Sequence, residues 1–353
     1  MIGTRIKLVR EVCGFTQEEL ADLIGTTQSG VASMEGGLYR PSAEFLKTIA
    51  VKTGFTPSFF DKGEISEFPY GTLLYRAQAA VKKSPKTQAH ALCHVAFDLA
   101  NFLASRLKKV PVNIPRLVSE DPAKCAQITR ASFGLSPNSV IKELILCLER
   151  NGVWVFSVPM EIDGFDGFSS WAGHDLGRPI IALLQGKTPY REVFTSAEEL
   201  GHLVMHSPLQ VSVSAADKEA RAFAQEFLLP AEAMENEMQL PITLSSLATL
   251  KRRWRVSMAF LAKRAASLSL ITANQHRYLI QEIRSRGWDK SEPGDDETAR
   301  EKPRMFRKMA EMLYGNPVNL GRLSIDSGVP LRILRDALGI ETAAARVLDF
   351  KQS

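Results

Sequence analysis

TQEELADLIGTTQSGVASMEGG, residues 16–37, decides the first domain. Thr16 opens a helix as its N-cap, and Glu19 three residues on completes a capping box. Leu20, Leu23 and Ile24 form that helix's inward stripe. Gly25 supplies the turn that lets a second helix leave at a steep angle. The second helix starts at Thr27-Gln28 and is stopped by Gly36-Gly37. Val31 and Met34 point to the core, which leaves Gln28, Ser29, Ala32 and Ser33 outside. Small hydroxyl and amide side chains can enter a major groove and read base edges, and glutamine pairs with adenine. Gln17, at the start of the first helix, can hold a phosphate through its backbone and side-chain amides. The plainer alternative is a helical bundle that binds protein.

Working outward, residues 2–60 read as five short helices around this pair. The block from Ile6 to Phe60 resembles the phage-repressor-like (XRE) helix-turn-helix family. The resemblance rests on R-x-x-x-G-F-T-Q-E-E-L-A at 10–21, T-Q-S-G-V-A-S-M-E-G-G at 27–37 and R-P-S at 40–42. It implies sequence-specific binding to an operator in double-stranded DNA, with two copies of the domain on paired half-sites. Arg40 then joins Gln17, Gln28, Ser29 and Ser33 as a DNA-contact candidate. Residues 1–63 carry seven Lys/Arg and seven Asp/Glu, so this domain has no net charge to steer it. A homodimer is therefore expected, with its surface in the larger region that follows.

Residues 61–75 form a Gly/Pro-bearing connection, and 77–108 a long helical pattern. VPVNIPRL at 110–117 reads as a linker because it holds two prolines. Between 118 and about 195 the pattern is mixed, and VWVFSVP and PIIALLQ are enriched as strands are. Helices dominate again from 195 to 285. SEPGDDETAREKP at 291–303 is polar and reads as disorder-like, and a helical tail begins at 304. Within that tail, residues 319–340 have a helix–Gly–helix rhythm and are read as a packing or interaction element.

The second informative stretch is FTSAEELGHLVMH, residues 194–206. A zincin places two ligands one helical turn apart, with a carboxylate beside the first to activate water; the usual spelling is H-E-x-x-H. Here the spelling is E-E-L-G-H. Glu199 and His202 stand at the base and second-ligand positions, and Glu198 stands where the first histidine belongs. K-E-A-R-A-F-A at 218–224 and F-L-L-P at 227–230 follow. Together these motifs resemble the ImmA/IrrE metallopeptidase family, and weaker likeness extends over roughly residues 70–300. The resemblance implies His202 and Glu219 as metal ligands and Glu199 as the general base. Glu198 breaks the pattern. A carboxylate can still bind Zn²⁺, but it adds negative charge and weakens the Lewis acidity that activates water. His206, one turn beyond His202, offers a substitute ligand, but the resemblance favours a histidine here that is not used as one. Three roles stay open for this domain: a degenerate fold kept as sensor or dimerisation module, a metal-binding but inactive site, and a working zinc peptidase that cleaves a repressor or antitoxin.

Weaker candidates are read blandly. His90 and His94 are one turn apart without a third ligand in reach, so packed or surface histidines are expected. Phe168 and Trp171 read as core. The cysteines at 13, 93, 125 and 147 form no C-x-x-C pair, which excludes a zinc ribbon or a disulfide framework and fits reduced thiols in a cytosol. Apolar runs are short and broken by charge, so neither a membrane span nor a signal peptide is expected. At 353 residues with 45% hydrophobic and 24% charged residues, the chain exceeds one ordinary core.

The expected architecture is multidomain. An all-α helix-turn-helix domain (1–63) precedes a helical connector (64–117), an α+β zincin-like domain (118–290), and a polar linker with a helical C-terminal region (291–353). The expected function is that of a cytoplasmic bacterial transcription regulator, a repressor or autoregulator, answering to a small-molecule or protein effector. A metabolite-gated cleft is the third alternative.

Overall fold

In the computed structural model, the described residues are 2–63, 66–69, 83–117, 121–173, 175–206, 213–295 and 298–340. The five N-terminal helices fall where the pattern puts them: α1 (Ile2–Val12), α2 (Gln17–Ile24), α3 (Gln28–Glu35), α4 (Ala43–Thr53) and α5 (Pro57–Asp61). Their ends are set locally. The Thr16–Glu19 capping box closes in both directions, and Thr27 and Ser42 cap α3 and α4 through their hydroxyls. Gly25 ends α2 at φ +72°, a left-handed conformation that costs glycine little. Leu20, Val31, Met34 and Ile49 are buried between the helices.

Helix α6 (Lys83–Ala104) follows, and the start expected for it at 77 lies outside the described residues. The stretch 110–117 carries no helix or strand. After it come α7 (Pro122–Ser132) and α8 (Leu144–Arg150), then a three-stranded sheet of β1 (Trp154–Val158), β2 (Gly167–Ala172) and β3 (Arg178–Leu184). β3 lies in the middle, parallel to β1 and antiparallel to β2. Six helices complete this α+β domain: α9 (Pro189–Met205), α10 (Val213–Leu228), α11 (Ala231–Glu237), α12 (Leu244–Trp254), α13 (Met258–Ser267) and α14 (Ala273–Ser285). The tail forms α15 (Met305–Tyr314), α16 (Leu320–Ser327) and α17 (Leu331–Ala337). No helix among the described residues is long and apolar enough to cross a membrane.

The sheet separates two apolar cores, because alternate side chains of a strand point to opposite faces. Val155, Ile181 and Leu183 face the helices α7–α14. Trp154, Phe156, Ile180 and Ala182 face a core built jointly by the N-terminal helices, α6 and the tail. Phe97 of α6 packs on Trp154 with ring centroids 5.4 Å apart, and Phe306 of α15 stacks on Phe156 at 4.8 Å. Within the region expected as a connector, helix α6 thus packs into the core it shares with the sheet and the N-terminal helices. Gln88 of α6 donates to Val12 O at 3.0 Å, and the buried Arg5 donates to Lys62 O and Gly63 O, both at 3.2 Å.

The stretch 291–303 was expected to stand off as a linker, and its described residues are instead packed. Glu292 is buried, accepts from Met258 N and pairs with Lys251 at 2.9 Å. Thr298 meets Tyr190 Oη at 2.7 Å, and Arg300 pairs with Glu192. A buried carboxylate at the start of α13 satisfies amides that would otherwise lack partners. The helix–Gly–helix element at 319–340 becomes α16, a turn at Gly328 with φ +70°, and α17. It packs as expected, against α5: Thr56 N donates to Gly328 O at 3.1 Å, and Lys62 Nζ reaches Ser327 O.

Candidate functional site

Two sites were singled out by the sequence, and the structure builds each from short stretches of helix. At the first, α2 and α3 present Gln28 and Ser29 exposed, while Ser33 is half-buried beside them. Gln28 does not hang free. Its Nε2 donates to Gln17 Oε1 at 2.8 Å, and Gln17 Nε2 donates to Glu35 Oε2 at 2.9 Å. Glu35 is held in turn by Arg10, whose Nε lies 2.6 Å from Oε1 and whose second amino group lies 3.1 Å from Oε2. Arg10 also donates to Phe15 O at 2.8 Å, at the turn into α2. The chain Arg10–Glu35–Gln17–Gln28 fixes which way the Gln28 amide faces, which a base-reading group requires. Sequence reasoning placed the two glutamines and missed the Arg10–Glu35 pair that anchors them. Arg40 is exposed in the loop after α3, as are Leu38 and Tyr39 beside it.

The second site lies on α9 and α10. Gly201 allows their close approach: a Cβ there would meet Phe223 of α10 at 3.0 Å. Glu198, Glu199 and His202 are all buried on α9. Glu199 accepts from Ser169 Oγ of β2 at 2.8 Å, and Trp171, two residues along, donates its indole N–H to Leu203 O at 3.0 Å. Glu198 accepts from Arg221 Nε of α10 at 3.0 Å. His202 and His206 face each other through their Nδ1 atoms at 3.0 Å. His206 Nε2 lies 2.9 Å from Glu219 Oε2, and His202 Nε2 lies 3.6 Å from Asp217 Oδ1.

The expected zinc ligands Glu198, His202 and Glu219 are therefore not brought together. Glu198 is tied to an arginine, and Glu219 turns to His206 rather than toward Glu198. Among the described residues, no group of three or more His, Cys, Asp or Glu side chains is arranged to hold a metal ion. The donor set as folded does not fit a zinc ion. The carboxylate that replaces the first histidine already has a guanidinium as its counter-charge. The groups missed from sequence are Arg221, Asp217 and Ser169. A signal for Arg221 existed, since a basic residue two positions after Glu219 accompanies an acidic one where a neutral imidazole belongs.

The remaining candidates are structural. His90 and His94 donate from Nε2 to Phe68 O (3.1 Å) and Ser66 O (2.9 Å), and His94 stacks on Phe68. Burial, with His94 close by, pushes His90 down to about 4. Phe168 is fully buried, and Trp171 is half-buried under the Arg116 guanidinium. The four cysteines are free thiols.

Comparison with known proteins agrees with this division. Residues 6–60 match the helix-turn-helix family model, and residues 148–266 match that of the IrrE N-terminal-like domain. A curated relative, the SPbeta prophage-derived uncharacterized HTH-type transcriptional regulator YonR of Bacillus subtilis (strain 168), is 30% identical over 74 residues. The match covers 21% of this chain and 68% of that protein.

Proposed function

From the premise that the chain belongs to the XRE-type helix-turn-helix transcriptional regulators and carries an IrrE N-terminal-like domain, we propose that it acts as a repressor or autoregulator. Its peptidase-like domain serves as sensor and dimerisation body, not as a hydrolase. Two copies sit on paired half-sites, with Gln28, Ser29 and Ser33 at the base edges and Gln17 and Arg40 at the phosphates. The observation that carries the DNA-reading part is the anchored amide of Gln28, exposed on α3 yet oriented through Gln17. The test is Gln28→Ala in the full chain against operator variants that differ at single base pairs. One well-made amide–base contact discriminates by about 1–3 kcal/mol. The expected result is a loss of that size at one base pair only; equal weakening on every sequence overturns the assignment.

Two observations support the sensor role. Glu198 and Glu219 are engaged by Arg221 and His206, which favours a role other than peptide hydrolysis. Strand β2 also touches both sites' surroundings. Its Ser169 holds Glu199, and Gly173 just past its end donates to Glu67 O at 2.8 Å, in the stretch leading from the DNA-reading helices. An effector that shifts β2 thus has a physical route to the N-terminal domain. The route is tested by comparing operator affinity of Ser169→Ala and the parent; equal affinities with and without cell-extract small molecules count against it.

A further inference from the structure

We propose that Arg221 is the built-in cation of the α9–α10 centre, standing where the ImmA/IrrE-like pattern places a metal ion, so that the centre is closed without one. The inference rests on the reading of this domain as non-hydrolytic.

A carboxylate removed from water needs a counter-charge. The Glu198 side chain is 5% exposed and lies 3.0 Å from Arg221 Nε, whose own side chain is 50% exposed. The guanidinium is thus half in water and half over a buried anion, which suits a cation brought in from the surface. Three polar links run along the same helix seam: Arg221–Glu198, His202–Asp217 and His206–Glu219. Glu219 and Arg221 are two positions apart on α10, so they leave the helix on different sides. One reaches Glu198 and the other His206, two turns further along α9. A metal ion held by the expected set would have to gather Glu198, His202 and Glu219 to one point. It would then break the Glu198 and Glu219 links and leave a guanidinium beside a divalent cation. The seam is a clasp that the protein makes from its own charges, and Glu198, standing where the pattern has its first histidine, is matched by a cation in reach of it.

The experiment uses the full chain and five variants: Arg221→Gln, Glu198→Gln, their double, Glu198→His, and Glu198→His with Arg221→Gln. Zinc content is measured after equilibration with zinc and gel filtration, and melting temperature is measured with zinc or with EDTA. The parent is expected to hold no stoichiometric zinc and to melt at the same temperature in EDTA. Arg221→Gln lowers the melting temperature, and adding Glu198→Gln restores most of it, because the buried charge that lost its guanidinium is gone. Removing a positive charge from beside a divalent ion tightens its binding, so Glu198→His with Arg221→Gln takes up zinc roughly tenfold or more tightly than Glu198→His alone.

Three results overturn the inference: stoichiometric zinc in the parent, an unchanged melting temperature in Arg221→Gln, or equal zinc affinity in the two histidine variants. If Arg221→Gln fails to fold, recovery of a folded protein in the double variant supports the inference, and failure of both overturns it. Hydrolysis of a denatured protein substrate is assayed separately. Zinc without hydrolysis in the parent sinks the inference and spares the non-hydrolytic reading. Zinc with Glu199-dependent hydrolysis sinks both.

Discussion

Replacing Glu35 by Gln tests whether the Gln28 amide is held from behind. Glu35 takes three donors, Arg10 Nε, the second Arg10 amino group and Gln17 Nε2. Its side chain is 5% exposed and that of Arg10 is 12%. Glutamine keeps the shape and one acceptor but removes the charge. Breaking a buried pair of this kind costs about 3–5 kcal/mol when nothing replaces it. Here something does: Glu11 lies 3.6 Å from Arg10. Burial holds the Glu11 carboxyl above its usual range, opposed by Lys7 and Arg10, and Glu35 adds to the upward push. Without Glu35, Glu11 ionises more readily and recovers part of the loss, which leaves roughly 2 kcal/mol. In the full chain that loss appears as faster hydrogen exchange of the α2–α3 amides, by about thirtyfold, since each 1.4 kcal/mol is about a factor of ten. Base preference at the Gln28 position should relax in parallel, and a double variant with Gln28→Ala should add little further loss of preference. Unchanged α2–α3 exchange, or additive losses of base preference, would refute the reasoning.

Three further outcomes follow from other parts of the structure. His90 sits at about 4 when folded against 6.5 free; below 6.5 the unfolded chain binds the extra proton, so stability should fall by about 3 kcal/mol between those values as pH drops. His90→Gln should flatten that part of the acid limb, and an unaltered limb in urea titrations would count against it. Truncation after residue 303 removes Phe306, Leu323, Ile333 and Leu334 from the shared core, so the melting temperature and operator affinity should fall together; a truncated chain that binds like the parent would show the tail to be dispensable. The full chain should be a dimer in light scattering, free or on DNA, because a domain without net charge gains by doubling its contacts; a monomer in both states contradicts this.

The N-terminal helices were legible because their boundaries are written locally. Thr16 with Glu19, and Gly25 after α2, act within a turn of themselves. β1 and β3 were legible from apolar residues, whereas β2 was not. Its sequence, GFSSWA, contains two adjacent serines where a strand signal expects β-branched residues. Ser169 is buried there because it serves Glu199, a partner 30 residues away that no local pattern reveals. The polar stretch near 292 misled for the same reason. Glu292 lies 41 residues from Lys251 and 34 from Met258, so its burial depends on tertiary contacts. The zincin-like spelling identified the helix α9 correctly, but a motif states which residues are near one another, not how their charges resolve. Only the fold brings Arg221 to Glu198.

The two family matches, 6–60 and 148–266, do not coincide with the two cores. The core that holds the helix-turn-helix helices draws on Val9 and Phe59 from the first match and on Trp154 and Phe156 from the second. Phe97 between them and Phe306 after them belong to neither. Cores of this kind are close-packed and resist sliding. The helix-turn-helix domain is therefore packed on the sheet partly through residues outside its own family boundaries. Under the proposed function, the peptidase-like domain would then act as the support of the N-terminal helices, through the face of its sheet that carries Trp154 and Phe156.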